Sequence, residues 1–236
     1  MGTSKGYQPP KGYLWSDSKR AVSSMVRNNF ESESIGKAVG RYNQAVRQGG
    51  AYRRQQDLSV AGSKAVGFFS MAKMQGLEKA LEHVGLNDLI GKSNVEIYMG
   101  LLDYFTGSSS TLDDSIVRDS MAELLKELFL DVSDEKSFED IISDLDMNKF
   151  IKDLITKFIQ KDFFVNFSEK IEAKCKNIDE YKDAEKKIKD YIKVKIDTRY
   201  STDDLSKIDW HGQQGKTFIN DRCNEVIKVF DIYLEG

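Results

Sequence analysis

Few residues in this chain offer chemistry, and they are scattered. Cys175, Cys223, His83 and His211 are its whole complement of thiol and imidazole groups. Their separation gives no metal-ligand spacing, so neither a metal nor a cofactor is expected. Cys223 and His211 would make a nucleophile and a base if they met. Cys223, however, falls on an apolar helical stripe, where a free cysteine acts as a small hydrophobe. His211 sits in the polar loop Trp210-His211-Gly212-Gln213-Gln214-Gly215, as a surface or capping residue. His83, two residues before Gly85, reads as a cation near a helix C-terminus. Gly91-Lys92-Ser93 and Gly215-Lys216-Thr217 resemble phosphate-loop fragments, but that loop needs a glycine five positions earlier so that backbone amides can wrap the anion. Leu86 and Trp210 stand there. No catalytic residue is assigned from these groups, and an enzyme using Cys223 and His211 stays a rival reading that a depressed thiol pKa would favour.

The first fifteen residues are more telling. They hold three glycines and both prolines, Pro9 and Pro10, so residues 1–18 are expected to form a flexible tail rather than a helix. A tail kept open for solvation alone would lack aromatics. This one carries Tyr7, Tyr13, Leu14 and Trp15, apolar groups that gain free energy only when covered. They are read as anchors for a partner protein. The small second residue permits removal of the initiator Met, which would leave Gly2 as the first residue. Myristoylation of that glycine is not expected, because its pattern needs Ser or Thr at position 6 and Gly6 stands there.

The elements behind this tail read as helices. Leu77, Ala80, Leu81 and Val84 recur at helical spacing, and Gly85-Leu86 reads as a glycine stop with its hydrophobic contact. Ser93 and Glu96 form a capping-box pattern opening a helix through Ile97, Leu101 and Phe105. Met121, Leu124, Leu125, Leu128 and Phe129 trace one apolar face, and Phe150, Ile151, Leu154, Ile155 and Phe158 another. Ile178, Tyr181, Ile188, Tyr191 and Ile192 mark a lysine-rich helix, and Ile219, Cys223, Val226, Phe230 and Tyr233 the last one. A weaker helix is expected from Ile35 to Val46, interrupted by Gly36 and Gly40. The fold class is therefore all-α, an antiparallel helical bundle-like body behind a tail. Glycine usage and the serines at 108–110 suggest four segments: the tail 1–18, a basic helical arm 19–62, a Gly-containing helical subdomain 63–107, and a C-terminal helical subdomain 111–236.

Charge is distributed unevenly. Residues 1–64 hold 11 Lys/Arg against 4 Asp/Glu, and the remainder 24 against 34, within a net charge of −3. Arg20, Arg27, Arg41, Arg47, Arg53 and Arg54 make the arm a candidate nucleic-acid contact. No zinc-finger, helix-turn-helix or RNA-binding signature accompanies them. Without an export signal or an apolar run of spanning length, a cytoplasmic protein with no membrane contact is expected.

Several blocks resemble the B component of the Qat anti-phage defence system. They are Met1-Gly2-Thr3-Ser4 with Leu14-Trp15-Ser16-Asp17, then Ala65-Val66-Gly67-Phe68-Phe69, Gly76 to Leu81, Val84 to Gly91, and the stretch from Leu101-Leu102-Asp103 to Asp114. The resemblance covers the first half of the chain. It implies a non-enzymatic defence protein working beside an ATPase, a TatD-like nuclease and an enzyme resembling 7-cyano-7-deazaguanine synthase. Relatives of that enzyme attach a deazaguanine base to a protein's N-terminal glycine, which would make Gly2 the modification acceptor, with Gly6 and Gly12 available only after trimming. The residues suit that chemistry. A glycine amine titrates near 7.7–8.0, against about 10.4 for lysine, and so keeps a neutral, nucleophilic fraction at cellular pH. Thr3 and Ser4 are small enough to thread a narrow active site.

Overall fold

The structure, a computed structural model, describes residues 12–48, 52–107, 112–130 and 137–233. Among them are ten α-helices and no strand, as the sequence leads one to expect. The helices are α1 (Tyr13–Arg27), α2 (Ser32–Gln48), α3 (Tyr52–Gln75), α4 (Leu77–His83), α5 (Asn94–Thr106), α6 (Leu112–Phe129), α7 (Phe138–Asp144), α8 (Met147–Glu172), α9 (Ile178–Asp197) and α10 (Gln213–Lys228).

The chain forms two compact units, each assembled from separated stretches. The first comprises Met1–Tyr52, Ile159–Arg199 and Asn224–Gly236, and the second Arg53–Phe158 and Tyr200–Cys223. α8 and α10 each contribute residues to both units. A sequential reading cannot anticipate a helix shared in this way.

Each unit has an aromatic core. In the second, Phe69 is ringed by Phe68, Phe105, Phe129 and Phe150 at centroid distances of 5.4–5.7 Å. Phe129 also stacks on Phe138 at 3.9 Å. These contacts tie α3, α5, α6, α7 and α8 together, and edge-to-face and offset pairs add to the burial of the rings. Leu124, Phe150, Leu154, Val226 and Phe230 are buried as expected from their helical faces. Leu128 is only half-buried, beside Ile141 in a shallow groove, and Ile178 is 55% exposed. Ile178 opens α9, where a first-turn side chain has no preceding turn to pack against.

Local signals hold closely. At α5 the Glu96 amide donates to Ser93 Oγ at 3.3 Å and the Ser93 amide to the Glu96 carboxylate at 3.0 Å, a complete capping box. After α4 the Leu86 amide donates to the Leu81 carbonyl at 2.9 Å across Gly85, whose φ of 78° only glycine adopts freely. Gly91-Lys92-Ser93 leads into α5, and Gly215-Lys216-Thr217 lies in the first turn of α10.

Candidate functional site

The first helix decides where the N-terminal segment ends. Gly12, at φ 115°, turns the chain directly into α1. Trp15, Ser18, Val22 and Met25 then recur at spacings of three and four and are all buried. This corrects the expectation of a tail to residue 18: residues 12–18 belong to the folded body, and residues 1–11 lie outside the described residues. Trp15 is not an open docking anchor. Its ring lies 5.2 Å from Phe167 in a stacked arrangement and 6.2 Å from Tyr42 edge-on. The cue overlooked was its helical phase with Val22 and Met25, masked by the prolines just upstream. Leu14 is half-buried, and Tyr13, 73% exposed, is the one of these three that remains open. Gly2, Thr3, Ser4 and Tyr7 fall outside the described residues.

Beneath Trp15 lies a polar network in the first unit. The Tyr42 hydroxyl donates to the Asp162 carboxylate at 2.7 Å, and the Asn166 amide donates to the Tyr42 oxygen at 2.7 Å. Ser18 is buried where α1 crosses α2, and its hydroxyl donates to the Arg41 carbonyl at 2.8 Å. A small residue there lets the two helices approach closely. Between them the chain reverses through Asn29 (φ 50°) and Phe30 (φ 59°). The left-handed region is ordinary for asparagine and costly for phenylalanine. The Phe30 amide donates to the Met25 carbonyl at 3.0 Å, closing the end of α1.

The opposite face of α1 is open. Asp17, Arg20, Ser24 and Arg27 face Glu33, Ser34, Lys37 and Arg41 of α2 across a cleft of about 840 Å³, with Tyr233 at its end. Four cations against the carboxylates of Asp17, Glu31 and Glu33 leave its lining slightly basic. Arg20 pairs with Asp17, and Lys37 with Glu33 at 2.7 Å. Exposed pairs of this kind contribute little to stability and are readily exchanged for a ligand's charge.

Of the six arginines singled out in the sequence, the structure brings Arg20, Arg27 and Arg41 to this cleft. Arg47 and Arg54 are not among the residues that line it. Arg54 is buried at 7% exposure, a correction to its reading as a nucleic-acid contact, and Arg47 pairs with Asp231. The side chain of Arg53 lies outside the described residues. Cys223 is fully buried while His211 is exposed, in keeping with the structural reading of both.

The Tyr233 end of the cleft was not visible in the sequence. Tyr191 donates its hydroxyl to Tyr233 at 2.6 Å, and the Lys195 ammonium lies 5.5 and 5.7 Å from the two rings. Burial, followed by the bond to Tyr233, pushes the Tyr191 phenol well up. Burial also works to raise Tyr233, but hydrogen bonds from Tyr191 and Lys195 together outweigh it and lower that phenol below the usual value. Gly36 makes room for the pair. A Cβ there would lie 2.6 Å from the Tyr191 oxygen and the Tyr233 ring. A glycine that weakens the helical reading of α2 is thus required by packing. Gly36→Ala is expected to displace the tyrosine pair at an overpacking cost of about 1–3 kcal/mol, offset in part by alanine's better helix propensity of roughly 1 kcal/mol. Urea unfolding of the variant checks the net loss.

Among the described residues no cluster of three or more metal-ligating side chains occurs, and no helix is long and apolar enough to cross a membrane. In comparison with known proteins, the family model for the Qat anti-phage system associated protein QatB matches residues 48–230. The chain belongs to the QatB family. The QatB match extends through the C-terminal half, well beyond the blocks that carry the resemblance in the sequence, and takes in α3 to α10. The α1–α2 residues of the cleft precede it. Membership makes the protein a component of anti-phage defence and implies partner proteins within the Qat system. No curated protein and no solved structure matches the chain.

Proposed function

We propose that this QatB-family protein is a non-enzymatic member of its defence system, acting as the substrate of a 7-cyano-7-deazaguanine-synthase-like partner enzyme that modifies the amine of Gly2. The observation that carries the reading is the abrupt change of character at Gly12. Behind it, α1 is fastened into the first unit by Trp15 and Ser18. In front of it stand Gly2, Thr3 and Ser4, small residues ahead of the only two prolines. The chain between Gly2 and Gly12 spans at most roughly 35 Å when fully extended, enough for the amine to enter a partner's active site while the body stays outside it. In this reading Tyr7 and Tyr13 supply the aromatic contacts to the partner, and Trp15 supplies the root.

Removing residues 2–11, and sparing α1, tests the docking part of the proposal. Co-purification with the synthase-like enzyme is expected to be lost while the melting temperature stays within a degree or two, because no residue of the two aromatic cores is removed. Undiminished co-purification would assign the docking surface to the folded body.

A second reading, nucleic-acid binding by the basic arm, draws its support from the convergence of Arg20, Arg27 and Arg41 on one cleft. The burial of Arg54 and the pairing of Arg47 reduce it to this smaller patch. Such binding would show a steep fall in affinity with salt.

A further inference from the structure

The chain has two histidines, separated by more than a hundred residues in sequence. In the second unit they meet. The His83 and His211 rings lie with centroids 5.5 Å apart and planes inclined at 58°. Both side chains are exposed, and neither ring has a hydrogen-bond or ion-pair partner among the described residues. We propose that this pair is a binding site for a late first-row divalent metal ion such as Zn²⁺, clipping the end of α4 to the loop that leads into α10, with water completing the coordination.

The ring spacing suits such a bridge. Imidazole nitrogens bind zinc at about 2.0–2.1 Å, which puts the metal roughly 3.2 Å from each ring centroid, and a tetrahedral angle then separates the centroids by about 5.2 Å. The observed 5.5 Å is close to that separation, and rotation of the two exposed side chains would turn one nitrogen of each ring toward the shared ion. Two imidazoles free of other partners form a nitrogen donor set that accepts zinc, copper or nickel ahead of magnesium or calcium.

The loop carrying His211 is held in place before any metal arrives. The Asp209 carboxylate accepts from the amides of His211 and Gly212 at 3.1 and 3.2 Å. The Gly215 amide donates to the Asp209 carbonyl at 3.0 Å, and the buried Ser63 hydroxyl of α3 donates to the Trp210 carbonyl at 2.6 Å. Gly67 of α3 lies beneath the loop, where a Cβ would come within 3.2 Å of Trp210 and 3.3 Å of His211. The other ligand sits in the last turn of α4. With both ligands presented from fixed backbone, little ordering cost opposes binding.

The test is a calorimetric titration of the full chain with Zn²⁺, carrying Cys175→Ser throughout so that its half-exposed thiol takes no part. One equivalent is expected to bind, and the melting temperature to rise with zinc concentration, since an ion held by the folded state alone stabilises it by mass action. His83→Gln and His211→Gln, both at exposed positions, should each weaken binding at least tenfold and abolish the zinc-dependent rise. Absence of binding to the parent would overturn the proposal. So would binding that either substitution leaves unchanged, because a bridge needs both rings.

Discussion

Trp15→Ala is expected to lower the free energy of unfolding by about 3–5 kcal/mol, the range for removing a large aromatic from a core. Trp15 is 5% exposed, stacks on Phe167 and meets Tyr42 edge-on, so its loss opens a cavity between α1, α2 and α8 inside the first unit. The Tyr42–Asp162–Asn166 network beneath it would then face that cavity. Trp15→Phe keeps the ring stack and removes an indole N–H that is buried without a hydrogen-bond partner among the described residues, so it should cost much less. Denaturant unfolding of the two variants measures the difference. A Trp15→Ala protein of unchanged stability that had lost its partner would restore Trp15 to the role of docking anchor and contradict the packing described here.

Gly2→Phe is expected to abolish both modification and defence. A bulky second residue blocks removal of the initiator Met, so the acceptor amine is never exposed, and a side chain beside that amine would obstruct its approach to an activated carbon. Stability should be untouched, since Gly2 precedes every helix among the described residues. Plaque counts with the complete Qat system, set against the melting temperature of the purified variant, check the two halves together. Full defence by Gly2→Phe would remove the glycine from the mechanism.

Helices such as α4, α5 and α10 were legible because they declare themselves locally. The capping box at Ser93, the glycine stop at Gly85 and the stripe through Ile219, Cys223, Val226 and Phe230 depend on residues within a turn or two of one another, and the structure reproduces them. Features set by distant packing were not legible. Gly36 weakens a helix by propensity but is demanded by Tyr191 and Tyr233, which come from α9 and the C-terminal turn. Arg54 belongs to a basic run in sequence and to the interior in space. His83 and His211 each suggested an ordinary surface role, and only the fold brings their rings together. Trp15 was misread for a different reason: the prolines and glycines before it obscured a helical phase that begins at Tyr13.

The central claim is that Gly2 is an acceptor, and the mass of the N-terminal peptide tests it most directly. The protein would be co-expressed with the synthase-like enzyme and, separately, with that enzyme inactivated, and the N-terminal peptide of each analysed by tandem mass spectrometry. The account predicts loss of Met1 in both samples and, with active enzyme alone, an added nucleobase-like mass that fragmentation locates on the Gly2 amine. An unmodified Gly2 amine in cells whose Qat system is fully protective would contradict it.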